Sequence, residues 1–506
     1  MIERQMVICC TMTFVFLVMS TSSIAATTVT VNNSTGPVAD YTSIQTAVNL
    51  AKDNDTILVF RGIYTENVDV DKGLIIISKS GNPSDTIVQA DNPHDHVFYV
   101  SANNVTISGF EIKQAEGSLY NRVAGIYLDE AQHSIICNNS LSNNYRGINL
   151  FGSNGNNLTN NNALNNNYGI YLENSSNNAL TNNTASNNGI GFCLKNSDSN
   201  ALYGNAANSN NAWAGIWLQE SSNNNRLNDN VANSNRLSGI ALMLSGNNTL
   251  SNNNVLNNNN GIDLDRSNDS ILSNNTALNN TRGIQICTSS NNKLINNNVS
   301  NNGAGINVYD SNNNYLNNNT VNSNNNNGIK IWRSSRNELK NNTANLNNFN
   351  GIHLRIFNNN RLINNIADSN NWNGIHLEYS ENNDLINNIV NLNKKNGINL
   401  DESNSNDLNN NTANSNIDFG IYLVDSNNNI VKGNFLLNNS KGVEMIDSNN
   451  QVYNNEIKDR EINDNETKDK DVSNIPFIDS VLTVIILGIA FVFLRKKGNK
   501  DNKRNG

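Results

Sequence analysis

From Gly125 onward the apolar residues of this chain return on two nested beats. The long beat is 22 to 24 residues and is marked by a glycine at Gly125, Gly147, Gly169, Gly191, Gly215, Gly239, Gly261, Gly283, Gly305, Gly328, Gly351, Gly374, Gly397, Gly420 and Gly442. The short beat is an alternation of two. In each G-I-x-L segment the Ile and Leu point one way and x points the other. A second apolar column follows, from Leu158, Leu180 and Leu202 to Leu408, and a third of Ala or Val runs from Ala163 and Ala185 to Ala413. Each repeat thus offers three short inward stripes separated by polar turns. A fixed period of this length is the mark of a solenoid. Three strands and three turns per repeat predict an all-β fold, a single-stranded parallel β-helix. A leucine-rich repeat has a similar period, but the gaps here are Asn and Ser, which are poor helix formers.

One polar column is stricter than the Leu column. Three residues after each Leu stands an Asn: Asn161, Asn183, Asn205, Asn230, Asn253, Asn275, Asn297, Asn319, Asn342, Asn365, Asn388 and Asn411, extended by Asn139 and Asn434. An amide can donate to one neighbour and accept from the next along a stack, and Asn tolerates the left-handed backbone of a corner. This column is expected to be a structural Asn ladder. The more variable Asn residues read as solvated turns.

The regular array covers residues 125–457, and the flanks differ from it. Residues 27–124 read as an N-terminal cap and first irregular coils. Strands are predicted at Thr28–Val31, Thr56–Phe60, Gly62–Tyr64 and Leu74–Ile77, with irregular coils at Val97–Val100 and Val105–Ile112. Ile44, Ala47, Val48 and Ala51 follow helical spacing, with Asp40 or Thr42 as N-cap. A short amphipathic helix there would cover the open end of the first coil. Residues 1–26 have Arg4, an apolar core from Met6 to Met19 and a small-x-small site at Ser23-Ile24-Ala25, the pattern of a signal peptide. Residues 458–474 are a charged spacer. Residues 475–494 are apolar except for Asp479, Ser480 and Thr483, long enough for a transmembrane helix. The basic tail, residues 495–506, would stay in the cytoplasm and leave the solenoid outside. The expectation is an exported cell-surface protein held in the membrane by a single C-terminal span.

Charge and cysteines narrow this picture. A net charge of −9 excludes nucleic acid as a partner, which needs a basic face. Cys137, Cys193 and Cys287 fall on different coils, with Cys193 and Cys287 roughly 19 Å apart at about 4.8 Å per coil. Free thiols are therefore expected, because a disulfide needs Cα atoms within about 7 Å.

Residues 40–48 (DYTSIQTAV), 55–59 (DTILV) and 62–68 (GIYTENV) resemble the opening of pectin-lyase-like right-handed β-helix proteins. The array resembles the NosD-type, or carbohydrate-binding-and-sugar-hydrolase (CASH), repeats of archaeal surface proteins. Pro476-Phe477 with the apolar segment and basic cluster is similar to archaeal surface-protein sorting tails, although the tripeptide here is Pro-Phe-Ile. The resemblance implies a right-handed β-helix, and the NosD name implies copper. Copper(I) delivery needs Met, Cys or clustered His. Past the signal only Met243 and Met445 remain, far apart along the solenoid, so no cofactor is expected. Asn92-Pro93-His94-Asp95 resembles the D-P-H-D motif of β-helix alginate epimerases, with Asn in place of the leading Asp.

The outward positions are where chemistry could reside. His353 and His376 occupy the same x position on adjacent coils, and Arg355, Glu378 and Asp401 lie two residues further along. Glu378 and Asp401, with His376, are the candidate catalytic group, at a spacing that would suit a retaining glycosidase pair. His353 and His376 are the candidate metal ligands. His353, Arg355, Trp217 and Trp332 are candidate ligand-binding residues. Tyr127, Tyr171, Trp217 and Tyr422 also take the x position, as exposed aromatics suited to stacking on sugar rings. Asp263 and Asp265 share a face beside Arg266. These readings favour a non-enzymatic surface protein for adhesion, envelope structure or polysaccharide binding, with other surface proteins as further partners. The alternatives are a carbohydrate-active enzyme (glycoside hydrolase, lyase or epimerase) and a copper-delivery accessory.

Overall fold

A computed structural model describes residues 26–461 apart from Thr35, residues 119–121 and Phe357. The predicted signal, the membrane span and the basic tail lie outside the described residues. Among the described residues no helix is long and apolar enough to cross a membrane. The chain divides into two units, Met1–Arg460 and Glu461–Gly506, and the solenoid is the first.

The described residues of that unit form a right-handed parallel β-helix of about 17 turns. One face is built from the G-I-x-L strands, stacked from Val68–Val70 to Lys441–Ile446, and is called the long-strand face. A second, the leucine face, runs from Thr28–Val31 to Gln451–Tyr453. The third, the alanine face, is continuous over the early coils and then thins to single bridges at residues such as Ala206, Val231 and Thr320. Every pairing is parallel and in strict register, with Ile148 beside Ile170, Leu158 beside Leu180 and Ala163 beside Ala185. The three apolar columns point inward and are fully buried up to the last coil, where Met445 and Ile457 are exposed. Val105–Ile112 is two strands, Thr106–Ser108 and Glu111–Lys113, because the chain turns a corner at Gly109 with φ +86°.

The glycine beat has a steric cause. A Cβ on Gly169 would stand 2.7 Å from the Gly191 carbonyl oxygen, 2.8 Å from Ala185 Cβ and 2.9 Å from Asn188 Nδ2. The long strand and the alanine face approach too closely there for any side chain.

The cap is a helix, Ile44–Leu50, with Ile44, Ala47 and Val48 buried over the first coil. Its N-cap is Ser43, which accepts from Thr46 N, rather than Asp40 or Thr42. Glu66 reaches back to accept from Ile44 N and Gln45 N, satisfying two more of the free helix-end donors. Asp40 instead accepts from the Thr30 amide and hydroxyl, tying down the first strand.

The corners differ from expectation in two ways. The left-handed residue is not the buried Asn but the one before it, as at Asn160 (φ 55°) before Asn161 and Asn182 (φ 53°) before Asn183. The buried Asn is held by hydrogen bonding alone. Asn297 Nδ2 donates to Leu272 O and to Asn319 Oδ1, both at 2.9 Å, and its Oδ1 accepts from Asn275 N and Asn275 Nδ2, both at 3.0 Å. In addition, many of the other Asn residues are not solvated turns. A second buried column runs through Asn166, Asn188, Asn210 and onward to Asn439, with Asn188 Nδ2 donating to Ala163 O and Asn188 N to Asn210 Oδ1. A third includes Asn156, Asn178 and Asn200, and a serine column of Ser153, Ser175 and Ser197 stands beside it. Each corner therefore pairs one exposed left-handed residue with one buried ladder residue.

Replacing Asn297 with Ala removes four buried hydrogen bonds and leaves the Leu272 carbonyl and the Asn275 amides without these partners. The expected loss is roughly 3–5 kcal/mol. Exposed Asn259→Ala should change stability by less than about 0.5 kcal/mol. Urea unfolding midpoints of the two variants measure the difference.

Candidate functional site

The inward stripes and ladders use up the strict columns, so chemistry is confined to outward positions. Nine buried side-chain polar atoms lack a hydrogen-bond partner among the described residues, and seven lie on the outer side of the long-strand face: Arg146 Nε, Asn149 Nδ2, Trp217 Nε1, Trp332 Nε1, Arg355 Nε, His376 Nε2 and Asn399 Oδ1. Unpaired buried polar atoms are costly, and their gathering on one face marks it as the functional candidate.

This face is not the flat, exposed sheet expected: in its x column Asn149, Tyr171, Cys193, Ala241 and His353 are buried, and cavities open between its rows, so it is called the trough. The x column is taken as its floor, with the residue before each Gly and the residue two beyond x as its flanking rows. Tyr171, expected to be exposed, is buried in a small apolar cluster with Ile190 and Cys193, and Trp217 packs against it. Burial pushes the Cys193 thiol up to about 12, so it is unreactive. Cys193 and Cys287 are free thiols.

At the N-terminal end of the trough, Arg146 is buried on Tyr171, its guanidinium carbon 3.8 Å from the ring centre, and Nη1 donates to Asn149 Oδ1 at 2.8 Å. Glu173 receives two cations, Arg122 at 3.6 Å and Lys195 at 3.4 Å. His96 packs against Tyr127, ring centres 4.2 Å apart and planes tilted by 32°, and Tyr99 Oη donates to Asp129 at 2.6 Å. His96, Arg122, Tyr127, Arg146, Phe151 and Glu173 line a cavity of about 240 Å³. Sequence reasoning missed this group. Its signal was present, since Tyr127, Asn149 and Tyr171 are all x residues, but Arg146 and His96 come from outside that column. Within the Asn92-Pro93-His94-Asp95 stretch, the His94 and Asp95 side chains do not line this cavity, and His96 does.

Further along, Asp263 accepts from Asn260 Nδ2 at 2.9 Å, and burial raises its pKa. Asp265 pairs with Arg266 at 3.0 Å. Trp332 meets Tyr309 edge-on at 5.0 Å, and Phe419 stacks on Tyr422 at 5.1 Å.

His353 and His376 are stacked, with ring centres 4.8 Å apart and planes 4° from parallel. Arg355 neighbours Glu378, and Glu378 neighbours Asp401, across adjacent strands. Glu378 Oε2 lies 3.2 Å from His353 Nε2 and 3.3 Å from Arg355 Nε, the latter an ion pair off the hydrogen-bond line. Burial, with His376, Lys330 and Arg355 nearby, holds the His353 pKa down to about 3. Burial and Arg355 hold His376 at about 4. Both rings are therefore neutral at pH 7, and the His353 contact fits an Nε2–H donating to the carboxylate. Asp401 is pushed up by burial and by Glu402 and Asp425.

A family model described as periplasmic copper-binding protein (NosD) matches residues 48–230 and 343–476, together more than half of the chain. The chain belongs to the NosD family. A second model, a right-handed β-helix region, matches residues 207–344. No curated protein matches. Among 134 similar solved chains is the pre-mature bacteriophage phi29 gene product 12, 11% identical with a TM-score of 0.50, covering 82% of this chain and 72% of that one. The Dettilon tailspike protein is 16% identical with a TM-score of 0.44. The match covers 56% of this chain and 59% of the tailspike's length. The periplasmic alginate epimerase AlgG is 15% identical with a TM-score of 0.35, covering 66% of this chain and 77% of that one. At these identities the likeness concerns the fold alone.

The described residues of this NosD-family chain do not fit copper. No three His, Cys, Asp or Glu side chains converge among them. Parallel stacked imidazoles do not aim their nitrogens at one ion, and His353 Nε2 is engaged by Glu378. Met243 and Met445 stand on widely separated coils. Copper titration of the full-length protein at neutral pH, followed by calorimetry, should show no tight site, and His353→Ala with His376→Ala should not alter the isotherm.

The histidine pair also predicts a pH dependence. Unfolded histidine titrates near 6.5, so below that pH the unfolded chain takes up protons that the folded protein refuses. The contribution is complete above pH 6.5 and declines as the pH falls toward 4. Between pH 7 and 5 the pair should cost roughly 2–4 kcal/mol of stability. The raised carboxylates Asp368 and Asp401 act in the opposite direction, so the test is a difference. Urea midpoints of the wild type should fall more steeply with acid than those of His353→Asn/His376→Asn.

Proposed function

We propose that this NosD-family protein is an exported, surface-held β-helix that binds a polysaccharide along its long-strand trough without cleaving it. The observation that carries this reading is a series of aromatic pairs, Tyr99 with Tyr127, Tyr168 with Tyr171, Tyr309 with Trp332 and Phe419 with Tyr422 on the long-strand face, and Trp213 with Trp217 and Phe349 with Trp372 involving the turns that lead into it. Rings spaced along a rigid trough suit a long chain of sugar rings, whose C–H faces stack on aromatics. The indole N–H groups of Trp217 and Trp332 are buried without an acceptor. A sugar hydroxyl would supply one, and leaving such a donor unpaired costs about 1–3 kcal/mol. Envelope structure and adhesion to neighbouring surface proteins are compatible uses of the same face. The apolar segment 475–494 is read as the anchor, and the family's periplasmic description agrees with export.

A carbohydrate-active enzyme is the second reading, favoured by one observation. Asp401, with its raised pKa, neighbours a Glu378 gripped by Arg355 and His353, an asymmetry that suits an acid beside a charged carboxylate.

A glycan array probed with full-length protein should show binding to extended polysaccharides. Trp217→Ala and Trp332→Ala should each weaken it about tenfold or more, with the β-sheet circular dichroism spectrum retained. Reducing-end and unsaturated-end assays should stay flat. New ends that disappear in Glu378→Gln would replace the binding reading with the enzymatic one, and no glycan binding at all would remove both.

A further inference from the structure

In a protein of net charge −9, one cavity in the trough has only positive charge in its lining. It measures about 370 Å³ and is walled by Arg282, Gln285, Tyr309, Lys330 and Trp332, with no Asp or Glu among its lining residues. Lys330 stands on the floor as an x residue, half-buried, in register with His353 on the next coil. No carboxylate pairs with it among the described residues, and its ammonium lies 5.1 Å from the Trp332 ring. Burial and the nearby Arg355 hold its pKa below the usual lysine range, with Glu378 pulling weakly the other way. Glu378 is already taken by Arg355 and His353. Arg282, on the opposite side, is exposed; it donates to the Asn260 amide oxygen at 3.3 Å and has the Asp263 carboxylate near enough to feel its charge. Beside these cations the Trp332 indole N–H is buried and unpaired, and Tyr309 provides an aromatic wall.

A half-buried cation without a paired carboxylate is a ready anion partner, and a site holding two cations, a spare neutral donor and an aromatic wall is complementary to an anion carried on a ring. We propose that this cavity is an acidic-sugar subsite of the trough, taking a carboxylate or sulfate-ester substituent of the bound polysaccharide. The inference rests on the polysaccharide reading above and adds the charge class of the ligand. Lys330 and Arg282 bind the anionic group, Trp332 donates to a neighbouring oxygen, and Tyr309 supports the ring.

The test is binding of full-length wild type, Lys330→Gln and Arg282→Gln to polygalacturonate, dextran sulfate, unsubstituted dextran and inorganic phosphate. Wild type should bind at least one acidic polymer ten times more tightly than dextran, with affinity falling as salt rises. Lys330→Gln should lower that affinity about tenfold and Arg282→Gln severalfold, with circular dichroism unchanged. Which acidic polymer binds identifies carboxylate or sulfate as the recognised group. Equal affinity for dextran and both acidic polymers, with Trp217→Ala still weakening it, would overturn the acidic subsite and leave the trough standing. Acidic-polymer binding that both Gln variants retain, or protection by phosphate without polymer binding, would also overturn it. Failure to bind any polymer would overturn both readings.

Discussion

The structure depends on the asparagine amide repeated at the same corner of each coil from Asn139 onward. Each buried Asn donates to a carbonyl one coil back and to the next Asn oxygen one coil forward, as Asn183 does to Leu158 and Asn205. In a low-dielectric interior such bonds are strong when made and costly when missing. The ladder therefore fixes the register of each coil on the last. The apolar stripes alone would tolerate small slips, since one Leu packs on another with little direction. Amides do not tolerate them. The Gly column follows from the same constraint, because the second ladder and the alanine face occupy the space a Cβ would need.

This division of labour explains where function can reside. The columns that build the coil leave almost no freedom, and the outward x column of the long strands is nearly unconstrained. It carries Tyr, Asn, Cys, Trp, Ala, Asp, Gln, Lys and His in turn. Most of the unpartnered buried polar atoms gather on the outer side of that face, in the x column and the rows beside it, rather than in the ladders, where nearly every amide is satisfied. A rigid scaffold with a variable trough is suited to binding an extended ligand. Membership of the NosD family adds the fold and a periplasmic, copper-binding description. The described residues of this chain carry the first and lack the donor set for copper.

The two ends of the trough differ in how their charges are paired. Near the N-terminus, Glu173 is shared by Arg122 and Lys195, and Arg146 is buried on Tyr171. Toward the C-terminus, Lys330 has no carboxylate partner, the neutral histidine pair separates it from Asn399, and Glu378 is held by Arg355 and His353. The trough is thus a series of chemically distinct stations, as a heteropolymer or a substituted sugar chain would require.

The sequence alone determined the coil: its period, its three inward stripes, its capping helix and the stacking of His353 on His376. These are one-dimensional patterns, since a residue's column sets its direction and its in-register neighbour lies one period away. It did not determine which corner residue is left-handed, or that the looser Asn columns are also buried ladders, because burial at a corner depends on how three faces meet. Nor did it determine the Arg146–His96 cavity or the uncompensated Lys330. Their members sit at different offsets in the repeat, and only the closed coil brings those offsets together. Sequence placed the aromatics on the outside, and tertiary structure decided that much of the outside is sheltered, because side chains of neighbouring rows and coils pack over one another there, as Arg146 does on Tyr171.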